Sequence, residues 1–300
     1  MSVELRPPRK EDAPAIADAL NEFSRLVEFD LETPEEIVAW FSMPSFDFQS
    51  DARVALVDGA IVGYADATSR DQKVAWLDVR ADPAYREAPP VLLEFVEGRG
   101  KELAPGGLLK AWTPENSPAT RELLESRGYT FHHYSLRMLI DLATEPPEPE
   151  WPDGLAVRTF RPGEEQAVYE VHQETFSDQR DFSRERYEDW SHWWLGEGFD
   201  PELWFLAVAN DEIQGVSLCR SDWGGDEDLG WVSILGVRPP WRRRGAGLAL
   251  LVHSFRELQA RGKKRAGLGV DAENPIGAVQ LYERAGMTVN RRHIWYEKAV

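Results

Sequence analysis

Residues 235–248 read Leu235-Gly236-Val237-Arg238-Pro239-Pro240-Trp241-Arg242-Arg243-Arg244-Gly245-Ala246-Gly247-Leu248. An apolar run enters a loop carrying Arg-x-x-Gly-x-Gly. Beyond it Leu248, Leu251, Val252, Phe255 and Leu258 fall at i, i+3, i+4, i+7 and i+10, one apolar face of a helix. The order is strand, glycine loop, helix. Gly245 and Gly247 permit tight turns and let backbone approach a ligand closely. The first amides of the helix have no partner inside it, and the macrodipole puts partial positive charge at that end. Such a terminus suits phosphates, and Arg242, Arg243 and Arg244 add charge-assisted donors. A nucleotide P-loop needs Gly-Lys-Ser/Thr, and Leu248 stands where its lysine would be. A dinucleotide fingerprint needs a third glycine and an acidic residue about 20 positions on, early in its domain.

Outward from this segment, the second half reads as a mixed sheet with helices. A short strand (155–159) precedes a helix (163–175) and an aromatic-rich helical stretch (183–195). Two apolar runs, 204–209 and 213–220, separated by Asn210-Asp211-Glu212, predict a β-hairpin. Strands at 230–237, 266–270 and 293–298 and a short helix at 276–285 complete the pattern. Hairpin-paired strands followed by a helical crossover imply a mixed sheet, hence an α/β chain of the α+β kind.

The first half repeats the second faintly. Leu5-Arg6-x-x-Arg9 matches Val157-Arg158-x-x-Arg161, and Val54–Gly63 matches Leu206–Gly215, both at an offset of 152. Val79-Arg80, Asn116, Leu123 and Gly128 match Val237-Arg238, Asn274, Leu281 and Gly286 at 158. A constant offset with one insertion indicates two copies of one fold. Four prolines within Glu145–Asp153 predict an extended linker, which sets the domains at 1–144 and 154–300 about a linker of 145–153. In the first copy, Pro89 and Val91 align with Gly245 and Gly247, and Leu124 with Tyr282. Proline removes a donor, so that half reads as a degenerate copy without cofactor.

The chain has 300 residues, 42% of them hydrophobic, with 12 Trp, 13 Phe and 8 Tyr, enough to bury two cores. Its net charge of −18 argues against a general nucleic-acid or anionic-membrane binder. Residues 221–300 nevertheless carry 13 Lys/Arg against 9 Asp/Glu, a basic island as compatible with a local anion site as with an ordinary mixed surface. A lone cysteine, Cys219, excludes an intramolecular disulfide and any Cys-based zinc site. No cluster of His and carboxylates has metal spacing, so no metal is expected. The start of the sequence has no apolar signal region and no run is long enough to span a bilayer, so a soluble, cytoplasmic protein is expected, monomeric or homodimeric.

The pattern Val237-x-Pro239-x-x-Arg242-x-x-Gly245-x-Gly247, followed by Asn274-x-x-x-Ala278-x-x-Leu281-Tyr282-x-x-x-Gly286-Met287, resembles the two signatures of GCN5-related N-acetyltransferases. The repeat, with Leu229-Gly230 and Val157-Arg158-Thr159, is similar to tandem members of the mycothiol synthase type. The resemblance implies two tandem domains of the GNAT kind, each a mixed, mostly antiparallel sheet flanked by helices. It implies acetyl-CoA as co-substrate and a small-molecule or peptide amine as acceptor, attacked directly in a ternary complex. Backbone groups of Leu235 and Val237 would hold the pantetheine arm and polarise the thioester. Amides from Arg243 through Gly245, Ala246, Gly247 and Leu248 would hold the pyrophosphate, with Arg242 and Arg244 beside them. Asn274 would contact the pantetheine or the adjoining loop. Tyr282 would be the general acid for the thiolate, against the plainer reading of a core tyrosine.

Many relatives carry a glutamate on the strand before the loop, where this chain has Trp231. Asp226, Glu227 and Asp228 are the nearest acids in sequence, and Glu227 is the candidate base; a solvated acidic turn is the competing reading. Phe176, Phe182, Tyr187, Trp190, Trp193 and Trp194 either pack a core or wall the acceptor site. His192 among them reads as structural, and Cys219 as a buried apolar residue. Retained Tyr282 favours an enzyme; the missing glutamate keeps a non-catalytic acyl-CoA sensor or interaction module as the alternative.

Overall fold

The structure is a computed structural model and describes residues 2–300. The first half forms β1 (Glu4–Arg6), α1 (Ala13–Val27), α2 (Pro34–Phe41), α3 (Phe48–Asp51), β2 (Ala52–Val57) and β3 (Ala60–Thr68). It continues with β4 (Val74–Ala81), α4 (Ala88–Leu103), β5 (Leu108–Pro114), α5 (Pro118–Ser126) and β6 (Thr130–Asp141). The second half repeats the plan. It has β7 (Ala156–Thr159), α6 (Glu165–Phe176), α7 (Tyr187–Trp194), β8 (Trp204–Ala209), β9 (Glu212–Arg220) and β10 (Leu229–Val237). Then come α8 (Ala246–Ala260), β11 (Arg265–Asp271), α9 (Ala278–Arg284) and β12 (Thr288–Ala299).

Local chemistry explains these elements. The hairpin turns at Asp58-Gly59 and Asn210-Asp211 have both residues at positive φ, the turn that matches strand twist and favours Gly, Asn and Asp. In α1, Ile16, Leu20, Phe23 and Val27 recur at helical spacing and are all buried. The aromatic-rich stretch is helical only from Tyr187. Upstream, Glu185 N donates to Gln173 Oε1 (2.8 Å) and Tyr169 Oη to Glu185 O (2.5 Å), which keeps residues 183–186 extended.

Two compact units result: Met1–Tyr134 with Arg292–Val300, and Ser135–Arg291. In the first the strand order is β1-β2-β3-β4-β5-β12, and in the second β6-β11-β10-β9-β8-β7. Both sheets are mixed. The β4–β5 and β10–β11 pairs are parallel and the other neighbours in each unit antiparallel.

These units differ from a cut at 145–153, because each half lends its last strand to the other half's unit. Ser135–Asp141 of β6 pair with β11, and His293–Ala299 of β12 pair with β5. Leu136 and Met138 join the core of the second unit, Ile294 and Tyr296 that of the first. The proline-rich segment is no free spacer either. Arg256 on α8 holds Glu145 (2.9 Å), Glu148 (2.6 Å) and the Pro146 carbonyl (2.7 Å), and Trp151 packs on the second unit's core.

Candidate active site

In the second unit β10 pairs with β9 from Trp231 to Val237, but its pairing with β11 covers only Leu229–Trp231 against Arg265–Gly267. Beyond Trp231 the two parallel strands part. The β9–β10 register shifts between Val232 and Ile234, a bulge at Ser233 of the kind that bends a strand and increases its twist. The bulge also reverses the facing. Val232, Leu235 and Val237 pack towards the core under α8, whereas Ile234 packs with α6 and α7. The result is a wedge with one free strand edge, entered from the C-terminal end of β10. Gly236 borders α6 so closely that a Cβ there would lie 2.2 Å from Thr175 Oγ1.

The glycine loop closes the head of the wedge. Arg243 sits at φ 60° and Gly245, the N-cap of α8, at φ 96°. At Gly247 the constraint is space: a Cβ would lie 3.2 Å from Leu281 Cδ1 of α9 and 3.7 Å from Val237 Cγ2. The first bond closing α8 runs from Ala249 N to Gly245 O at 2.9 Å, so Ala246, Gly247 and Leu248 present the amides of a helix's first turn. Leu248 is half-buried there.

The three arginines have separate fates. Arg242 is built into the scaffold: Nε donates to Val237 O (2.9 Å), Nη2 to Thr175 O (3.2 Å), and Nη1 pairs with Asp178. It shapes the loop, and it engages the Val237 carbonyl expected to face the pantetheine. Arg243 and Arg244 are exposed and have no carboxylate partner among the described residues; Arg244 lies over the Trp241 ring at 5.4 Å. The sequence reading missed Asp178 and Arg180, two residues apart after α6. Asp178 holds the loop through Arg242, and Arg180 holds Asp271 (3.1 Å) at the end of β11 and Glu273 (2.6 Å) beyond it. The short 178–180 segment thus ties the two diverging strands. No local pattern announces pairings across 64 and 91 residues.

Tyr282 lies on α9 with 8% of its surface exposed, and burial alone raises its hydroxyl to about 12. It belongs to the apolar cluster that also contains Leu250, Leu251 and, at its edge, Leu235 and Val237. Asn274 caps the turn after β11, its Oδ1 accepting from Ile276 N (3.1 Å) and its carbonyl from Gly277 N (3.2 Å).

On the other face lies Trp231, at the position where the sequence resemblance leads to the expectation of a glutamate. Its ring stacks on Trp223 (centroids 4.8 Å, 8° apart) and lies 5.3 Å from the Arg137 guanidinium. A Cβ on Gly267 would collide with this ring at 2.5 Å, so glycine admits the tryptophan. Glu227, the candidate base, stands apart from the glycine loop. It is exposed in the turn before β10, and its carbonyl accepts from Lys263 Nζ (2.8 Å). Its neighbours are paired, Asp226 with Arg265 (2.6 Å) and Asp228 with Lys264 (2.7 Å), which lowers the Asp228 carboxyl. That turn lies at the paired end of the strand. Leu235 is six residues beyond Leu229, roughly 20 Å at ~3.3 Å per residue.

The aromatic stripe is mostly core. Trp190 is fully buried with its Nε1 bonded to His172 Nδ1 (2.9 Å), and Tyr187 and Trp194 pack on the same cluster. The Arg220 guanidinium lies 5.8 Å from the Trp193 ring and 5.9 Å from the Trp194 ring. Cys219 is buried, and burial pushes its thiol to about 11. Among the described residues no group of three His, Cys, Asp or Glu side chains is placed to hold a metal ion, and no helix is long and apolar enough to cross a membrane.

Residues 165–287 match the acetyltransferase (GNAT) family. A mycothiol acetyltransferase of Streptomyces avermitilis is 32% identical over 253 residues, covering 79% of this chain and 76% of its own. Its Streptomyces coelicolor namesake is 30% identical, covering 81% and 78%. A GCN5-related N-acetyltransferase from Sphaerobacter thermophilus superposes with a TM-score of 0.76 at 32% identity, over 99% of this chain and 95% of that one. A tandem GNAT protein from the clavulanic acid biosynthesis pathway shares the fold (TM-score 0.74, 14% identity, 99% and 98% covered). With its parted strands, glycine loop and doubled plan, the chain belongs to the GCN5-related N-acetyltransferase family and is a tandem acetyltransferase.

Proposed function

We propose that the second unit transfers the acetyl group of acetyl-CoA to a primary amine by direct attack in a ternary complex. The observation that carries this reading is the free edge of β10 running into the left-handed loop that opens α8, with Tyr282 in the apolar cluster that Leu235 and Val237 join. The residues fit the co-substrate. A pyrophosphate suits the first-turn amides of α8 and the uncommitted guanidinium groups of Arg243 and Arg244. A pantetheine arm suits the edge that β11 leaves free at Leu235 and Val237, where its amides take the place of the missing strand and share the Val237 carbonyl with Arg242 Nε. Asn274, in the turn that follows β11, is the candidate to contact the pantetheine or the adjoining loop.

The amine nitrogen attacks the thioester carbonyl carbon, the carbon–sulfur bond breaks, and the thiolate takes a proton from the Tyr282 hydroxyl. The proton lost by the amine goes to solvent, from which the phenolate recovers one. An unperturbed thiol ionises near 8.5, well below Tyr282. Burial raises thiols as well, as it does for Cys219 at about 11, so donor and leaving group stay within reach of each other in the same apolar surroundings. Cys219 itself, protonated and buried, is unsuited to an acyl-enzyme. With a tryptophan at position 231, the proposed step takes the amine in its neutral form and asks no carboxylate of that position.

The name of the curated relatives makes a mycothiol-type amine the first acceptor to test. A panel of amines, including amino-sugar thiols, polyamines, aminoglycosides and peptide N-termini, assayed for CoA release and acetylated product, tests the reading. Acetylation of at least one amine supports it. Hydrolysis of acetyl-CoA unaffected by every amine refutes it.

A further inference from the structure

The first unit contains a cavity of about 430 Å³, within the range of small-molecule sites, about 300–1,000 Å³. It occupies the wedge equivalent to the one described above. β4 and β5 pair in parallel only from Val74–Leu77 against Leu108–Ala111, and the cavity opens where they part. Its wall is apolar, contributed by Phe23, Leu77, Val79, Leu93, Trp112 and Leu123. Leu26, 66% exposed, borders its mouth.

The features that suit a pyrophosphate in the second unit are missing. Pro89 and Pro90 stand in the first turn of α4, where neither has an amide to offer, and Glu87 is the N-cap. Buried Leu124 stands in place of Tyr282. Three charged side chains border the cavity. Asp82 is committed to Ala84 N (2.9 Å), and Arg86 and Glu122 are exposed. Arg86 has no ion-pair partner among the described residues and is the one cation on the lining.

We propose that this cavity binds an unbranched aliphatic monocarboxylate, its chain in the β4–β5 wedge and its carboxylate paired with Arg86. An apolar chain gains by leaving water for such walls, and a single negative end needs one guanidinium rather than a loop of amides. A bulky, multiply charged nucleotide tail finds no run of first-turn amides here and a single cation against its several charges.

Dodecanoate titrated calorimetrically into protein already saturated with acetyl-CoA tests the proposal. The expected result is saturable binding of one equivalent. Ala119→Trp, at an exposed position on the lining, is expected to raise the Kd more than tenfold by blocking the mouth without disturbing the core. Arg86→Ala is expected to raise it about five- to tenfold for dodecanoate while leaving dodecanol unchanged, a loss of one exposed charge-assisted contact. Absence of saturable binding, or binding that Ala119→Trp leaves unaltered, overturns the site. Two equivalents of bound acetyl-CoA, or displacement of dodecanoate by acetyl-CoA, overturns the assignment of its ligand.

Discussion

Gly245 and Gly247 are separated by one residue and are glycine for different reasons. At Gly245 the backbone takes φ 96°, where a Cβ would meet nothing nearer than Glu150 O at 4.0 Å; the constraint is conformational, and a non-glycine residue there costs of order 1–3 kcal/mol. Gly245→Val is therefore expected to disturb the turn that presents the α8 amides and to raise the acetyl-CoA Kd more than tenfold by calorimetry. A folded variant with unchanged affinity removes the loop from the binding site. Tyr282 carries a different expectation, since a proton donor acts on the transition state. Tyr282→Phe should lower kcat about 10²–10⁴-fold with little change in acetyl-CoA affinity. Burial holds its hydroxyl at about 12, so it stays protonated, and competent, at every pH well below that value. The pH–rate profile should rise as the acceptor amine loses its proton and should not fall again below about pH 11. Turnover within twofold of the parent in the phenylalanine variant would make Tyr282 a packing residue, and a descending limb at pH 8–10 that the variant retains would belong to another group.

At the scale of elements, the strand, loop and helix around residues 235–248 were legible because each signal is local: an apolar run, glycines at a turn, and a 3.6-residue period. The hairpins were legible for the same reason, through Asp58-Gly59 and Asn210-Asp211. The structural contacts of Arg242 were not legible, because its partners Thr175 and Asp178 come from α6 and the segment after it, with no trace in the motif. Glu227 shows the limit of nearness in sequence, since a strand carries neighbours in sequence away from the glycine loop at ~3.3 Å per residue. Aromatic residues at helical spacing could equally have walled a pocket; burial resolves them. Trp190 joins Tyr169, Trp204 and Leu206 in the core, with its indole N–H satisfied by His172. Trp190→Ala leaves a large cavity and removes the indole hydrogen bond to His172, and should cost about 3–5 kcal/mol in urea unfolding. Loss below 1 kcal/mol would mean that α7 contributes little to the second unit's core.

For the whole molecule, the repeat predicted two similar domains joined by a linker and could not disclose the exchange of last strands. β6 and β12 are copies of one element, 158 residues apart, and either satisfies the patterning of either sheet. What distinguishes the arrangement is where their side chains are buried: Ile294 and Tyr296 lie in the core that contains Leu92, Leu109 and Leu124. Tyr296 also donates its hydroxyl to Glu125 Oε1 (2.8 Å) on α5, and Lys298 pairs with Glu97 (2.8 Å) on α4. The last nine residues therefore belong energetically to the first unit, although the catalytic signatures precede them in the second. Removing residues 292–300 should expose the β5 edge and strip two core side chains from the first unit, while the α8 loop keeps its own supports in Thr175, Asp178 and Leu281. Hydrogen exchange on the truncated chain is expected to show protection lost first in β5 and α5 and retained in α8 and β9, since local stability follows buried contacts and paired backbone. A conventional two-domain chain cut at 145–153 predicts the reverse, with the loss falling on β11 and α9. Protection lost equally across both units would show that they unfold as one cooperative body, and the exchange of strands would then be the bond that couples them.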